Sequence, residues 1–266
     1  MGVSREGVLT LTPPPFADDI IFAGDGEPFQ SVYEESATQK HKLGTKLIYP
    51  DGRIFRYAKA GEALSKALMT SAQENYAYCD AETQSTSGTS VEVGDIEITI
   101  DVTTGGTWTE NAFAGGWIVN TSGTATCIGD IYKVVANKIQ STDTLMTVQL
   151  ETPIRVAWDA SSVIYMMKNA YMDVEPFPTT PVGTATGIPL IDVTSGYYFW
   201  AQRGGYAPCI VDDGETIVMG DAVGHPATVA DEGACGVVAA TDHVWGYVVM
   251  TAAIDAAALI DLTIDT

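Results

Sequence analysis

Short apolar runs broken by Gly- and Asp-rich turns constrain this chain more than any other feature. The pattern is densest between Ile188 and Ile264. There Tyr197–Gln202 precedes Gly204-Gly205, Ala207–Val211 precedes Asp212-Asp213-Gly214, and Thr216–Met219 precedes Gly220-Asp221. Cys235–Ala239, Trp245–Met250 and Ala257–Ile264 come next. Runs of about 4–8 residues at spacings of about 8–12 are the pattern of sandwich or barrel strands. Ala252, Ala253, Ala256, Ala257 and Ala258 around Asp255 also allow one helical turn before a last strand, Leu259–Ile264.

The middle of the chain reads the same way. Val91–Val102 alternates, with Ile96, Ile98, Ile100 and Val102 on one face and Asp95, Glu97, Thr99 and Asp101 on the other. Gly105-Gly106 and Gly115-Gly116 mark turns beyond it. Gly116–Asn120, Ile131–Ala136, Thr144–Leu150, Arg155–Trp158 and Val163–Lys168 are the next candidate strands, and Trp117 and Trp158 are expected in their core. Upstream, Leu43–Ala58 reads as a β-hairpin about Pro50-Asp51-Gly52, because Pro presets φ and Gly accepts a positive one. Ala58–Gln73 carries Ala60, Leu64, Ala67 and Leu68 at helical spacing and predicts one short helix. Residues 1–40, with Pro13-Pro14-Pro15 and no sustained period, read as an extended arm that gains order by packing on something, a neighbour in an assembly. Asn169–Gly187 is rich in Pro, Thr and Gly and reads as a linker.

The expected fold is therefore mainly β. Two small antiparallel β-barrel or sandwich units are joined to an extended N-terminal arm and one short helix. The expected divisions are an arm over 1–40, a first β domain over 41–170, a linker over 171–187 and an acidic β domain over 188–266.

Charge narrows the function. The chain of 266 residues has 34 acidic and 13 basic side chains, a net charge of −21. That balance opposes a nucleic-acid partner, which needs a basic patch, and an anionic membrane surface. The charge is also polarised. Lys40, Lys42, Lys46, Arg53, Arg56, Lys59 and Lys66 face only Asp51 and Glu62 over 40–66, a local balance of +5. After Arg203 no basic residue occurs, while ten acidic ones do. Such a molecule can dock its basic part on an acidic partner and project its acidic part into water.

No residue constellation points to catalysis. His41, His225 and His243 are the three histidines, and no GxSxG elbow accompanies them. Asp242 and His243 are neighbours that a strand would send to opposite faces. The spacing of His225, Cys235 and His243 matches no closed zinc site. Cys79, Cys127, Cys209 and Cys235 form no CxxC pair and sit among small or apolar residues, as buried reduced thiols do. Gly24-Asp25-Gly26 lacks the third glycine and the helix of a phosphate loop. Paired carboxylates stay open in so acidic a chain, although Asp212-Asp213-Gly214 is more simply a turn. The first residues lack the apolar core of a secretory signal, and no apolar run is long enough for a transmembrane helix. No catalytic residue, cofactor or metal is expected.

Three patches carry a resemblance. The first is Thr38–Tyr57, followed by the alanine-rich stretch. The second spans Asn111–Tyr171, with GGWIVN, GDIYKVVAN, VQLETPIRVA and KNAYMDV in order. The third is Gly187–Thr266, with GIPLIDVTSGYYFWAQRGGYAPCIVDD, GDAVG and WGYVVMTAA. Together they resemble the capsid decoration (cement) and auxiliary head proteins of tailed bacteriophages, especially those of marine phages. The resemblance implies a non-enzymatic protein on the outer face of an icosahedral head. Its implied partners are the major capsid protein and further copies of itself, as a trimer. On that reading Lys40, Lys42, Lys46, Arg53, Arg56 and Lys59 are candidate capsid contacts, and Tyr197, Phe199 and Tyr206 candidate subunit contacts. Two alternatives stay open: a tail or baseplate component, and a receptor- or glycan-binding module with Tyr or Trp beside Asp.

Overall fold

A computed structural model describes residues 20–22, 30–73, 82–83, 91–101, 108–122, 127–138, 145–158, 162–180, 183–226, 231–238 and 243–265. Pro13–Pro15, Gly24–Gly26, Cys79, Ser85–Thr89, Gly105-Gly106 and Asp242 lie outside the described residues. The described chain is all β. In chain order the strands are β1 (Ile20–Phe22), β2 (Lys46–Ile48), β3 (Ile54–Lys59) and β4 (Thr70–Ser71), then β5 (Glu82–Thr83), β6 (Glu97–Asp101), β7 (Trp117–Ser122), β8 (Ile131–Asn137), β9 (Leu145–Leu150) and β10 (Val163–Met167). The third group is β11 (Glu175–Pro176), β12 (Ala185–Pro189), β13 (Tyr198–Ile210), β14 (Ala222–Gly224), β15 (Gly236–Val237), β16 (Val244–Met250) and β17 (Ala257–Thr263).

Two compact units divide these strands, and one is discontinuous in sequence. The first takes residues 1–74 and 171–266, and the second residues 75–170. In the first unit the strand order is β1-β2-β3-β13-β17-β16-β14-β15, and the sheet curls into a half-barrel. All these pairings are antiparallel except β1 with β2. Strand β13 is the axis, with β3 on one side and β17 on the other. The expected hairpin forms: Lys46, Leu47 and Ile48 face Arg56, Phe55 and Ile54, and Gly52 takes φ +89° at the turn. But it belongs to the sheet of the C-terminal strands, so the division at 41–170 is corrected. The partner of β3 lies far along the chain, where composition does not reveal it.

The linker expected over 171–187 is corrected too. The Tyr171 carbonyl accepts from Lys59 N at 2.9 Å, Val174 bridges Ala60, β11 pairs with β4, and β12 pairs with β4 and β13. The helix over Ala58–Gln73 is absent. Ala58 and Lys59 end β3, and beyond them each backbone N–H finds a distant carbonyl rather than one four residues back. Ala60 donates to Tyr197 O, Gly61 to Val174 O, Leu64 to Val193 O, Ala67 to Pro189 O and Met69 to Gly233 O, all within 3.0 Å. Ala67 holds φ +61°, which no helix accepts. Of the expected stripe Ala60, Leu64 and Ala67 are buried and Leu68 is half-buried, so the apolar positions face the core although their helical period is accidental. Nor does Gly204-Gly205 end a strand. β13 runs through it with a bulge between Gln202 and Gly204, where a Cβ on Gly204 would meet Asp265 O at 2.9 Å.

The core of the first unit is built from separate clusters of buried side chains. Val32, Leu47, Phe55, Tyr57 and Trp200 pack together, while Ile188, Cys209, Val211, Trp245, Val248 and Ile260 belong to another cluster. Burying one such large side chain contributes about 1.5–3 kcal/mol. An exposed ion pair contributes about 0–1 kcal/mol, so the clusters set the fold and charge only trims it.

The second unit is a six-stranded antiparallel sheet in the order β5-β10-β7-β8-β9-β6. Ile98, Ile100, Phe113, Ile118, Tyr132, Val134, Met146, Val148, Trp158 and Ile164 form its core. Trp117, expected inside, is 42% exposed, because the inward positions of β7 are Ile118 and Asn120. Ile96 is likewise exposed, lying ahead of β6. Arg155–Trp158 forms no strand; Trp158 makes an isolated bridge with Val91, and Arg155 N donates to the Tyr132 hydroxyl on β8 at 2.8 Å.

Candidate functional site

The charges of the basic segment are largely spent within the chain. Lys46 and Arg56 are direct cross-strand partners in the hairpin. Like charges placed so repel one another. Asp265, just beyond β17, resolves the conflict. Its Oδ1 accepts from Lys46 Nζ at 3.1 Å and its Oδ2 from Arg56 Nε at 2.6 Å. Arg203 Nε lies 3.8 Å from the same Oδ2, close enough for attraction but too far for a hydrogen bond. The Arg203 guanidinium donates instead to Ala185 O at 2.6 Å, and Arg56 also donates to Gly44 O at 2.9 Å.

Burial would by itself raise the Asp265 carboxyl, but hydrogen bonds from Arg56 and Lys46, with their charges, bring it below its ordinary value. Burial lowers Arg203, and the neighbouring Arg56 adds to that against the opposing pull of Tyr171 and Asp265. Lys59 pairs with Asp173 at 2.8 Å, and Arg53 pairs with Asp51 at 2.8 Å and covers the Tyr49 ring. Lys42 is exposed and has an interaction of its own. Lys40 and Lys66 are exposed and carry no ion pair among the described residues.

The segment that leads into this hairpin lies on the same unit. Tyr57 donates through its hydroxyl to Gln30 Oε1 at 2.7 Å and accepts there from Lys40 N at 3.1 Å. Gln30 Nε2 donates to Tyr198 O, Trp200 Nε1 donates to Gln30 O, and Glu35 accepts from Thr194 N. Residues 30–36, read from sequence as part of an arm that packs on a neighbour, thus pack on their own chain. Burial pushes the Tyr57 hydroxyl up to about 12. His41 meets Tyr57 edge-on and Trp200 at a tilt, each ring centre 5.1 Å away, and burial lowers its pKa.

Of the candidate subunit contacts, Phe199 is corrected. It is fully buried beside Ala58, Leu64, Val174 and Val193. Strand β13 is covered on both faces there, so alternation cannot mark a free side. Tyr197 is half-buried against the same cluster, and Tyr206 is 59% exposed.

The remaining reactive side chains are scattered. His225 Nε2 lies 3.1 Å from Pro178 O with its ring against Phe177, and His243 is exposed. Cys209 and Cys235 are buried free thiols in one cluster. The adjacent Cys235 and burial push the Cys209 thiol well up, away from the reactive thiolate. Among the described residues no group of three or more His, Cys, Asp or Glu side chains is placed to hold a metal ion. Comparison with protein-family models, with curated proteins and with solved structures finds no match.

Asp265 and Asp173 were invisible as partners of the basic segment, since hydrogen bonds join Arg56 and Asp265 across 209 positions. A third feature is equally silent in the sequence. Tyr206 and Tyr247 both lie opposite Asp261, in one row across β13, β17 and β16.

Proposed function

We propose that this chain is a non-enzymatic structural protein of a virion. It sits on the outer surface of a tailed-phage head, made in the host cytoplasm, and stabilises neighbouring major capsid subunits as a homo-oligomer, a trimer. The sequence resemblance supplies the class. The observation that supports it in the geometry is the Asp265 clamp, in which the conspicuous polar groups cross-link their own unit. Lys46, Arg56 and Arg203 converge on one carboxylate that holds the end of β17 to the β2–β3 hairpin. A braced β unit with exposed aromatics suits a load-bearing surface module.

Gold-labelled antibody on intact particles tests the location. Label on heads is expected, and label confined to tails or baseplates would replace this reading. Light scattering of the purified chain tests the oligomer, with a mass near three chains expected. A monomer in solution that is also monomeric on particles would remove the trimer.

A further inference from the structure

The outward face of the C-terminal strands carries a second arrangement, distinct from the clamp. In antiparallel pairs, directly opposed residues project to the same side. Tyr206 and Tyr247 each oppose Asp261, so the carboxylate stands between two phenol rings in a single row. Tyr206 is 59% and Tyr247 49% exposed. The alternate residues on these strands, Ala207, Val248, Ile260 and Leu262, are buried and hold the row from beneath. Ala222 is the next residue along the row, so nothing bulky closes the far side. Pro208, Leu259 and the exposed Met250 form the adjoining row and make the surroundings apolar. The side chains of Tyr206, Asp261 and Tyr247 make no hydrogen bond or ion pair among the described residues, and no basic residue occurs after Arg203 in the sequence.

Spacing decides what fits. Adjacent strands lie about 4.8 Å apart, so the two tyrosines straddle Asp261 at about 10 Å from one another. A cation above the carboxylate would stand about 5 Å from each ring, inside the cation–π range of about 6 Å. A guanidinium suits this slot better than an ammonium. It is planar, stacks on aromatic faces, is more weakly hydrated, and donates two parallel hydrogen bonds to one carboxylate. The field of a chain of net charge −21 favours the same sign.

We propose that the Tyr206–Asp261–Tyr247 row is a docking site for an arginine side chain presented by a partner protein. The inference rests on strand register and charge, and it stands whether or not the virion reading does. Combined with the internal pairing of Lys46, Arg53, Arg56 and Lys59, it places a docking surface on the acidic part of the polarised chain and makes the partner's contact basic.

The test titrates the full-length, isotope-labelled protein with the peptide Ac-Gly-Arg-Gly-NH2 by NMR at 0.15 M salt. Parallel titrations use Ac-Gly-Lys-Gly-NH2 and Ac-Gly-Gln-Gly-NH2. Shifts centred on Tyr206, Tyr247 and Asp261, with arginine binding tighter than lysine and glutamine inert, are expected. The double variant Tyr206→Ala/Tyr247→Ala keeps the net charge, and it should weaken arginine binding about fivefold or more. Asp261→Asn should weaken it similarly, while Asp213→Asn, which removes the same charge from an exposed turn, should not. Equal losses from Asp213→Asn and Asp261→Asn, or no loss from the tyrosine pair, would reduce the effect to bulk attraction and overturn the site. Lysine binding as well as arginine would overturn the assignment to a guanidinium.

Discussion

Lys46 and Arg56 face each other across a hairpin and share Asp265, whereas Asp261 stands between two tyrosines and makes no ion pair among the described residues. Both regions belong to the same unit, and in the sequence they are the two poles of one charged chain. The fold treats them differently. It brings remote acids to the cations and leaves the acidic row open. Charge along a chain therefore does not give charge on a surface, because strand pairing can carry a neutralising group from the far end. The proposed arginine site accordingly lies on the acidic part of the chain.

The largest effect should come from breaking the clamp. Asp265→Ala leaves three cations close together, with Asp265 only 14% exposed before removal. Loss of a partner from a buried pair is costly, and partial exposure discounts it to about 2–3 kcal/mol. Chemical denaturation should show this as a lower midpoint with unchanged slope. Lys46→Glu should cost less, about 1–2 kcal/mol, since Arg56 still holds Asp265 while the new carboxylate repels it.

pH sharpens the comparison, because each group has its own window. The Asp265 carboxyl is depressed in the folded state, so its contribution is present above the unfolded value of about 3.9 and is lost as pH falls through the folded value. The stability gap between the native protein and Asp265→Asn should thus narrow on acidification below about pH 4. Burial lowers the His41 pKa in the folded state, so protonation of the unfolded chain should draw stability down from about pH 6.5 downward, and His41→Phe should remove that slope. Tyr57 acts at the other end. Its folded value is raised to about 12, so its contribution is complete below about pH 10 and lost between the two. Tyr57→Phe should flatten that alkaline fall.

The smallest effects should come from the open row and from Lys40. Tyr206→Ala, Asp261→Asn and Lys40→Glu should each change stability by less than about 0.5 kcal/mol, since these side chains lie at the surface away from the clamp. A loss above about 1 kcal/mol from Asp261→Asn would mean that the row braces the unit and does not await a partner.

The sequence made legible what is local. Pro50-Asp51-Gly52 places the hairpin turn because its geometry is dictated by those residues alone. The alternation of Ile98 and Ile100 and the runs at β7, β8, β9, β10, β16 and β17 locate strands for the same reason. What failed was non-local. Ala60, Leu64 and Ala67 imitate a helical stripe, but their N–H groups are claimed by Tyr197, Val193 and Pro189. Phe199 cannot be told from Tyr206 by alternation, because one part of β13 is covered on both faces and the other is not. Asp265 and the Tyr206–Asp261–Tyr247 row depend on register between strands, which no local pattern records.

The most direct test of unequal neutralisation is a double-mutant cycle on Arg56→Met and Asp265→Asn, read by urea unfolding. We predict a coupling energy of about 1–3 kcal/mol for this pair. Coupling indistinguishable from zero would mean that Asp265 does not neutralise the hairpin, and the basic segment would again be the docking surface.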